Sequence, residues 1–133
     1  MRMEFDHIGI PTQIAQPDEF WVETSKVWVT NPRTHPLRIE YLRFTDPPRF
    51  DLEVASNLPL WKLWNMPHVA YSVDDLAAAL EGEALVYGPF EPADFGPVAF
   101  IHKHGLIIEY MQYTNRETWF GQKTPWRPAG PPA

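Results

Sequence analysis

Two histidines and two glutamates are the residues of this sequence whose types and spacing suggest chemistry. His7 lies in the apolar segment MEFDHIGI, and His68 lies in the segment HVAYSV. Glu40 and Glu109 lie in two further strand-like segments, LRIEYLRFT and GLIIEYMQY. Carboxylates and imidazoles are costly to bury unless they are paired or bind a metal. A shared divalent metal would supply that compensation for all four side chains.

An internal repeat relates these residues to one another. Residues 35–45 (HPLRIEYLRFT) match residues 104–114 (HGLIIEYMQYT) at six of eleven positions, and Glu40 aligns with Glu109. Each half of the chain also opens with an apolar strand that carries a histidine near its start. The repeat therefore predicts that each half contributes one histidine and one glutamate. Glu53, in RFDLEVA, is the alternative to Glu40 as the first carboxylate.

The donor set restricts the metal without identifying it. Two imidazoles and two carboxylates suit Zn, Ni, Co, Mn or Fe, and the ligand types alone do not choose among these elements. A metal that prefers five or six ligands retains open positions beside four protein ligands. Water, or a substrate with adjacent oxygens, can occupy those positions.

Further polar and aromatic side chains near these strands are candidates to bind a substrate. Arginine and tyrosine side chains can contact an anionic or a carbonyl group in a cleft. Ordinary cross-strand pairing, or an exposed turn in the case of the histidine, is the alternative role for these residues. The predicted substrate-binding residues are Tyr41, Arg43, Tyr110 and His104.

Strands and turns should dominate the elements that position these residues. The chain contains 15 Pro and only 7 Gly, and each interior Pro breaks a helix. One short helix is predicted over residues 75–81, with Asp74 or Asp75 in its cap and Gly82 at its end. The tail after Thr114 should be extended or disordered. Alternating apolar residues predict strands over 3–10, 20–30 (one strand, or two with a bend), 37–45, 68–73, 83–89, 98–102 and 106–113.

Composition excludes several classes of function. A length of 133 residues with 44% hydrophobic residues fits a single domain with a real core. The net charge of −6 argues against nucleic-acid binding, and the absence of Cys excludes disulfides and thiolate chemistry. No apolar run is long enough for a membrane span, and the N-terminus lacks a signal-peptide core. We expect a cytoplasmic protein without membrane association.

At FDHIGIPT, PHVAYSVDDLAAAL and GLIIEYMQY the sequence resembles the vicinal oxygen chelate superfamily, which has the glyoxalase and bleomycin-resistance fold. The resemblance covers residues 4–114. It implies an α+β fold of two tandem βαβββ modules whose curved mixed sheet forms one cleft. The modules would span residues 3–46, with a reduced or missing helix, and residues 67–114. A linker over 47–66 and a Pro-rich tail over 115–133 would complete the single domain.

The resemblance also implies a site and a class of reaction. His7 and His68 match the first-strand metal ligands of the superfamily, and Glu40 and Glu109 match its last-strand ligands. The implied function is that of a metal-dependent isomerase, epimerase or lyase acting on a small substrate with vicinal oxygens. Glu109 or Glu40 would be the catalytic base. A homodimer is implied as well. The alternatives are a non-catalytic small-molecule-binding protein of the bleomycin-resistance type and an Fe(II) extradiol-type dioxygenase.

Overall fold

A computed structural model describes residues 2–45 and 65–128, and most of its secondary structure is β-strand. The first half of the chain contributes strands β1 (Met3–Pro11), β2 (Phe20–Val22), β3 (Val27–Val29) and β4 (Ile39–Phe44). The second half contributes β5 (His68–Val73), β6 (Leu85–Phe90), β7 (Val98–Lys103) and β8 (Leu106–Met111). These strands form one curled sheet in the order β2-β3-β4-β1-β5-β8-β7-β6.

The sheet consists of two similar halves that meet where β1 lies beside β5. β1 pairs in parallel with β4, and β5 pairs in parallel with β8. β1 and β5 themselves are antiparallel. In each half, two hairpin-connected strands continue outward from the parallel pair. The repeat in the sequence is therefore a repeat in the structure, and the predicted fold of two tandem strand-rich modules is confirmed.

The two halves differ in the connection between their first two strands. In the second half this connection contains helix α1 (Leu76–Leu80), which the Asp75 side chain caps by accepting a hydrogen bond from the Ala78 N–H at 3.1 Å. In the first half, residues 12–19 form turns, so the predicted reduction of the first helix is confirmed. Among the described residues, no helix is long and apolar enough to cross a membrane.

Apolar side chains cover both faces of the second half. On the outer face, which carries α1, Leu76 and Ala79 pack on Ala99 and Ile101 of β7. The inner face carries the other main core cluster. This inner cluster consists of Ala70, Phe95, Val98, Phe100, Ile107, Met111 and Trp119.

The C-terminal segment, residues 113–128, folds over the inner face. It contains a small hairpin of β9 (Thr118–Trp119) and β10 (Gln122–Lys123). Trp119 is 1% exposed and stacks on Phe95 with ring centroids 4.8 Å apart. Residues 118–123, which were expected to be extended or disordered, form this hairpin. Burial of a large aromatic side chain against an apolar face favours the folded arrangement.

Polar contacts fasten this segment to the first half. Arg33 Nη1 donates hydrogen bonds to the main-chain carbonyls of Thr118 and Thr124, at 2.9 and 2.6 Å. The Asn31 side chain donates to Gln122 and to Thr124 Oγ1. Both anchoring residues belong to the 3-10 turn between β3 and β4. The C-terminal segment therefore bridges the two halves of the sheet.

Two elements of the sequence analysis lie outside the described residues. Glu53, the alternative first carboxylate, is one of them. The linker predicted over residues 47–66 is the other, apart from its last two residues.

The burial of Trp119 generates a stability prediction. Trp119→Ala should lower the free energy of unfolding by about 3–5 kcal/mol, because it opens a cavity in the inner cluster. Denaturant unfolding followed by circular dichroism measures this. The matched control is Trp21→Ala, since Trp21 is 36% exposed and should cost much less. Equal losses in the two variants would contradict the packing of the C-terminal segment described here.

Candidate metal centre

The two histidines lie side by side at the seam between the halves. In the antiparallel pairing of β1 with β5, His7 is opposite Ala70, and Gly9 is opposite His68. The two imidazole centroids are 5.8 Å apart and the ring planes are nearly perpendicular. Both side chains are almost completely excluded from solvent, at 0% and 2% exposure.

The glutamates reach the same place through an equivalent register in each half. The residue two positions after each histidine pairs with the glutamate, so Gly9 pairs with Glu40 and Ala70 pairs with Glu109. Alternate residues of a strand face the same side of a sheet. Each glutamate therefore lies on the same face as the histidine of its own half.

Distances show that these four predicted residues converge. Glu109 Oε1 lies 3.3 Å from Nε2 of His7 and 3.3 Å from Nε2 of His68. Glu40 Oε1 lies 3.5 Å from His7 Nε2. His7, Glu40 and His68 each offer one ligand atom, and these atoms all lie within 4.8 Å of one another. The structure thus brings together the whole set that the repeat singled out.

The donor atoms fit a divalent metal. His7 Nε2 and both ring nitrogens of His68 are buried and have no hydrogen-bond partner among the described residues. Buried polar atoms are normally satisfied, so these nitrogens need an explanation. Two ligand atoms about 2.0–2.1 Å from a tetrahedral zinc lie about 3.3–3.4 Å apart, which agrees with the carboxylate-to-imidazole separations. A nitrogen and oxygen donor set of this kind binds several divalent metals.

The electrostatics show why a metal would be favourable. Burial raises the pKa of Glu40 to about 8, although the nearby His7 opposes this rise. For Glu109, burial is outweighed by the contacts with His68 and His7, and its pKa is lowered. Burial likewise disfavours the charged form of His7, but Asp6, Glu109 and Glu40 raise its pKa to about 10. The pocket therefore attracts positive charge, which a divalent cation would supply.

Asp6 belongs to this centre although it directly precedes His7, and regular strand alternation would place the two side chains on opposite faces. A β-bulge between Phe5 and His7 leaves Asp6 without a partner on β5 and turns its side chain inward. Asp6 is fully buried, and its Oδ1 lies 2.6 Å from His7 Nδ1. Burial raises the pKa of Asp6, yet the His7 contact and further hydrogen bonds lower it to about 2. The adjacent Asp and His were a signal in the sequence, but the bulge was not.

Aromatic side chains surround the centre. Trp119 contacts the His7 ring edge-on at a centroid distance of 5.3 Å, and Phe100 contacts the His68 ring in the same way. Trp126 also reaches the site, since its Nε1 donates a 2.8 Å hydrogen bond to Asp6 Oδ2. Neither tryptophan was predicted to have a role there. Three large aromatic residues in a Pro-rich tail were the available signal, because such side chains seldom remain in solvent.

The structure places the predicted substrate-binding residues of β4 away from the centre. Tyr41 and Arg43 follow Glu40 by one and three residues. Because odd separations place strand residues on opposite faces, both lie on the face opposite Glu40. Tyr41 packs edge-on against His35. Arg43 forms an ion pair with Glu19.

The two predicted substrate-binding residues of the second half are also elsewhere. Tyr110 follows Glu109 and belongs to the outer-face cluster beside α1. His104 is exposed at a positive φ of 56° in the turn between β7 and β8. Strand alternation explains the position of Tyr110, and hairpin geometry explains that of His104.

Comparison with known proteins finds a match among solved structures. No protein-family model matches the sequence, and no curated protein matches it. The fold is similar to that of a variant of Streptomyces coelicolor methylmalonyl-CoA epimerase in complex with 2-nitronate-propionyl-CoA. The TM-score is 0.50 at 20% identity, over 84% of this chain and 98% of that chain. A second variant of that epimerase in the same complex gives 0.47 at 19% identity over the same shares.

The fold is of the glyoxalase type, with reduced helices. The first comparison covers nearly the whole of the other chain, so the two proteins share their architecture rather than one module.

Gly9 leaves the space that the His68 ring occupies. A Cβ at position 9 would lie 2.0 Å from Cε1 and 2.3 Å from Nε2 of His68. Gly9→Ala should therefore displace the imidazole and weaken Zn²⁺ binding by about 10- to 100-fold, as loss of ligand orientation does elsewhere. Competition with a chromophoric chelator measures this affinity. Gly105→Ala is the control for backbone strain alone, since Gly105 has a positive φ but a Cβ there would meet no atom within 4 Å, and it should leave the Zn²⁺ affinity unchanged. Equal affinities of Gly9→Ala and the native chain would refute the assignment of His68.

Proposed function

We propose that this chain is a metal-dependent enzyme of the epimerase type that acts on a small substrate with vicinal oxygens. His7, Glu40, His68 and Glu109 would bind the divalent metal. The observation that carries the proposal is a buried site in which imidazole nitrogens without a hydrogen-bond partner lie 3.3–3.5 Å from carboxylate oxygens. An arrangement of this kind costs stability without a ligand, because buried polar groups are left unsatisfied.

A bound metal supplies Lewis-acid polarisation of a substrate carbonyl, which makes a hydrogen on the neighbouring carbon more acidic. The chain itself supplies the proton acceptor. Glu40 and Glu109 approach His7 Nε2 from β4 and β8, which belong to different halves of the sheet. An epimerase must remove a proton from one face of a carbon and return it to the other. Carboxylates on two sides of one centre suit that requirement.

The similarity to methylmalonyl-CoA epimerase supports this class of reaction and suggests the first compound to test. In methylmalonyl-CoA the acidic carbon lies between a thioester carbonyl and a carboxylate, so two oxygens can bind one metal side by side. Fold alone does not set the substrate. The proposal for this chain is therefore the class of carbonyl compounds with a second oxygen-bearing group on the adjacent carbon.

Removal of single ligands tests the metal site. Protein purified without an affinity tag should contain near-stoichiometric metal by elemental analysis, and His68→Ala and Glu109→Ala should each lose most of it. His104→Asn is the matched control, because His104 is exposed and asparagine tolerates its positive φ. Unchanged metal content in both ligand variants would show that the site is assigned wrongly.

Conversion of the glutamates to glutamine tests the chemistry. Glutamine keeps an oxygen donor but cannot accept a proton, so the variant of the catalytic base should retain metal and lose activity. We expect Glu40→Gln or Glu109→Gln to slow exchange of the substrate α-hydrogen with deuterated solvent by about 10²- to 10⁴-fold. Glu81→Gln, at the exposed end of α1, should not change the rate. If the metal-loaded native protein exchanges no carbonyl compound of this class, the proposed epimerase chemistry is wrong.

A further inference from the structure

The buried carboxylate of Asp6 makes three hydrogen bonds, one with the adjacent His7 and two with the C-terminal segment. Its Oδ1 faces His7 Nδ1 at 2.6 Å. Its Oδ2 accepts from the Tyr113 hydroxyl at 2.5 Å and from Trp126 Nε1 at 2.8 Å. The main-chain carbonyl of Asp6 accepts from Arg38 Nε at 2.9 Å, which holds the bulge in place.

These contacts determine which nitrogen of His7 can bind a metal. An ionised carboxylate only accepts hydrogen bonds, so Nδ1 must carry a proton and donate it to Asp6. When a metal displaces the proton on the other nitrogen, Nε2, its lone pair faces the space between Glu40 and Glu109. We propose that Asp6 is a positioning residue for the metal centre and that the C-terminal segment, through Trp126, holds Asp6 in this role. The proposal rests on the metal site put forward under the proposed function.

Trp126 gives this proposal a distinctive consequence. An indole N–H donates and never accepts, so the oxygen at position 6 that faces Trp126 must be an acceptor. An asparagine at position 6 has one acceptor oxygen and one donor NH₂. If the asparagine oxygen accepts the hydrogen bond from Trp126, the asparagine NH₂ donates to His7 Nδ1. The histidine proton then resides on Nε2, which can no longer bind the metal. If its oxygen serves His7, two donors face each other at Trp126.

The experiment is a Zn²⁺ titration of five proteins against a chromophoric chelator. They are the native chain, Asp6→Asn, Trp126→Phe, the double variant, and the control Asp18→Asn at an exposed turn. Asp6→Asn should weaken Zn²⁺ binding by about 10- to 100-fold. Adding Trp126→Phe to Asp6→Asn should recover most of that loss, because it removes the conflicting donor. Asp18→Asn should bind as the native chain does. Recovery by a second truncation is not the result that simple loss of packing produces.

Native affinity in Asp6→Asn, or no recovery in the double variant, would overturn the proposal. If Asp6→Asn does not fold, ¹⁵N NMR of the native Zn²⁺-loaded protein tests the proposal. Zn²⁺ bound to Nε2 of His7 with a proton on Nδ1 supports it. Zn²⁺ bound to Nδ1 with a proton on Nε2 overturns it. If the native chain binds no Zn²⁺, the proposed metal site fails on its own. The same spectrum of the metal-free protein then shows whether the Nδ1 proton of His7 is held by Asp6, and its absence overturns the positioning role.

Discussion

The burial of two imidazoles and two carboxylates at the seam of the sheet is the constraint on which the rest of the structure depends. Such groups are tolerated in an interior only where each charge has a partner. The pairing of β1 with β5 places the histidines together, and the parallel pairs β1–β4 and β5–β8 bring one glutamate to each. The strand order makes this convergence possible, because the four site residues lie on the four central strands of the sheet, β4, β1, β5 and β8. The small residues Gly9 and Ala70 opposite the histidines leave room for the rings.

The two halves of the site are equivalent in register but not in their surroundings. His7 has a carboxylate on Nδ1, supplied by the bulge at Asp6, whereas both nitrogens of His68 lack a hydrogen-bond partner among the described residues. The first half also has turns where the second half has a helix. The C-terminal segment covers the inner face and is bound to the first half by hydrogen bonds from Arg33. One half of the site thus depends on contacts that lie far away in the sequence.

Most of the fold and of the candidate site could be predicted from two features of the sequence, the internal repeat and the two-residue period of the strands. Aligning Glu40 with Glu109 predicted the two carboxylates that converge on the histidines, because repeated strands in equivalent modules take equivalent registers. The same period of two would have excluded Tyr41 and Tyr110, since each directly follows a glutamate and must face the other way. The inward turn of Asp6 could not be predicted in this manner. A bulge inserts one residue into a strand, and its position depends on pairing with the neighbouring strand rather than on one strand's own sequence.

The aromatic residues of the tail indicated burial, but the surface on which Trp119 packs could not be predicted. Its burial depends on the inner face of the whole sheet, and local composition rich in Pro indicates only the absence of a helix.

Anomalous diffraction at the zinc edge, on crystals grown with Zn²⁺, tests most directly that the four buried side chains form one metal site. We predict one anomalous peak in each chain, about 2.0–2.1 Å from Nε2 of His7 and of His68. A peak only at surface histidines such as His104, or none among the four residues, would contradict the metal centre.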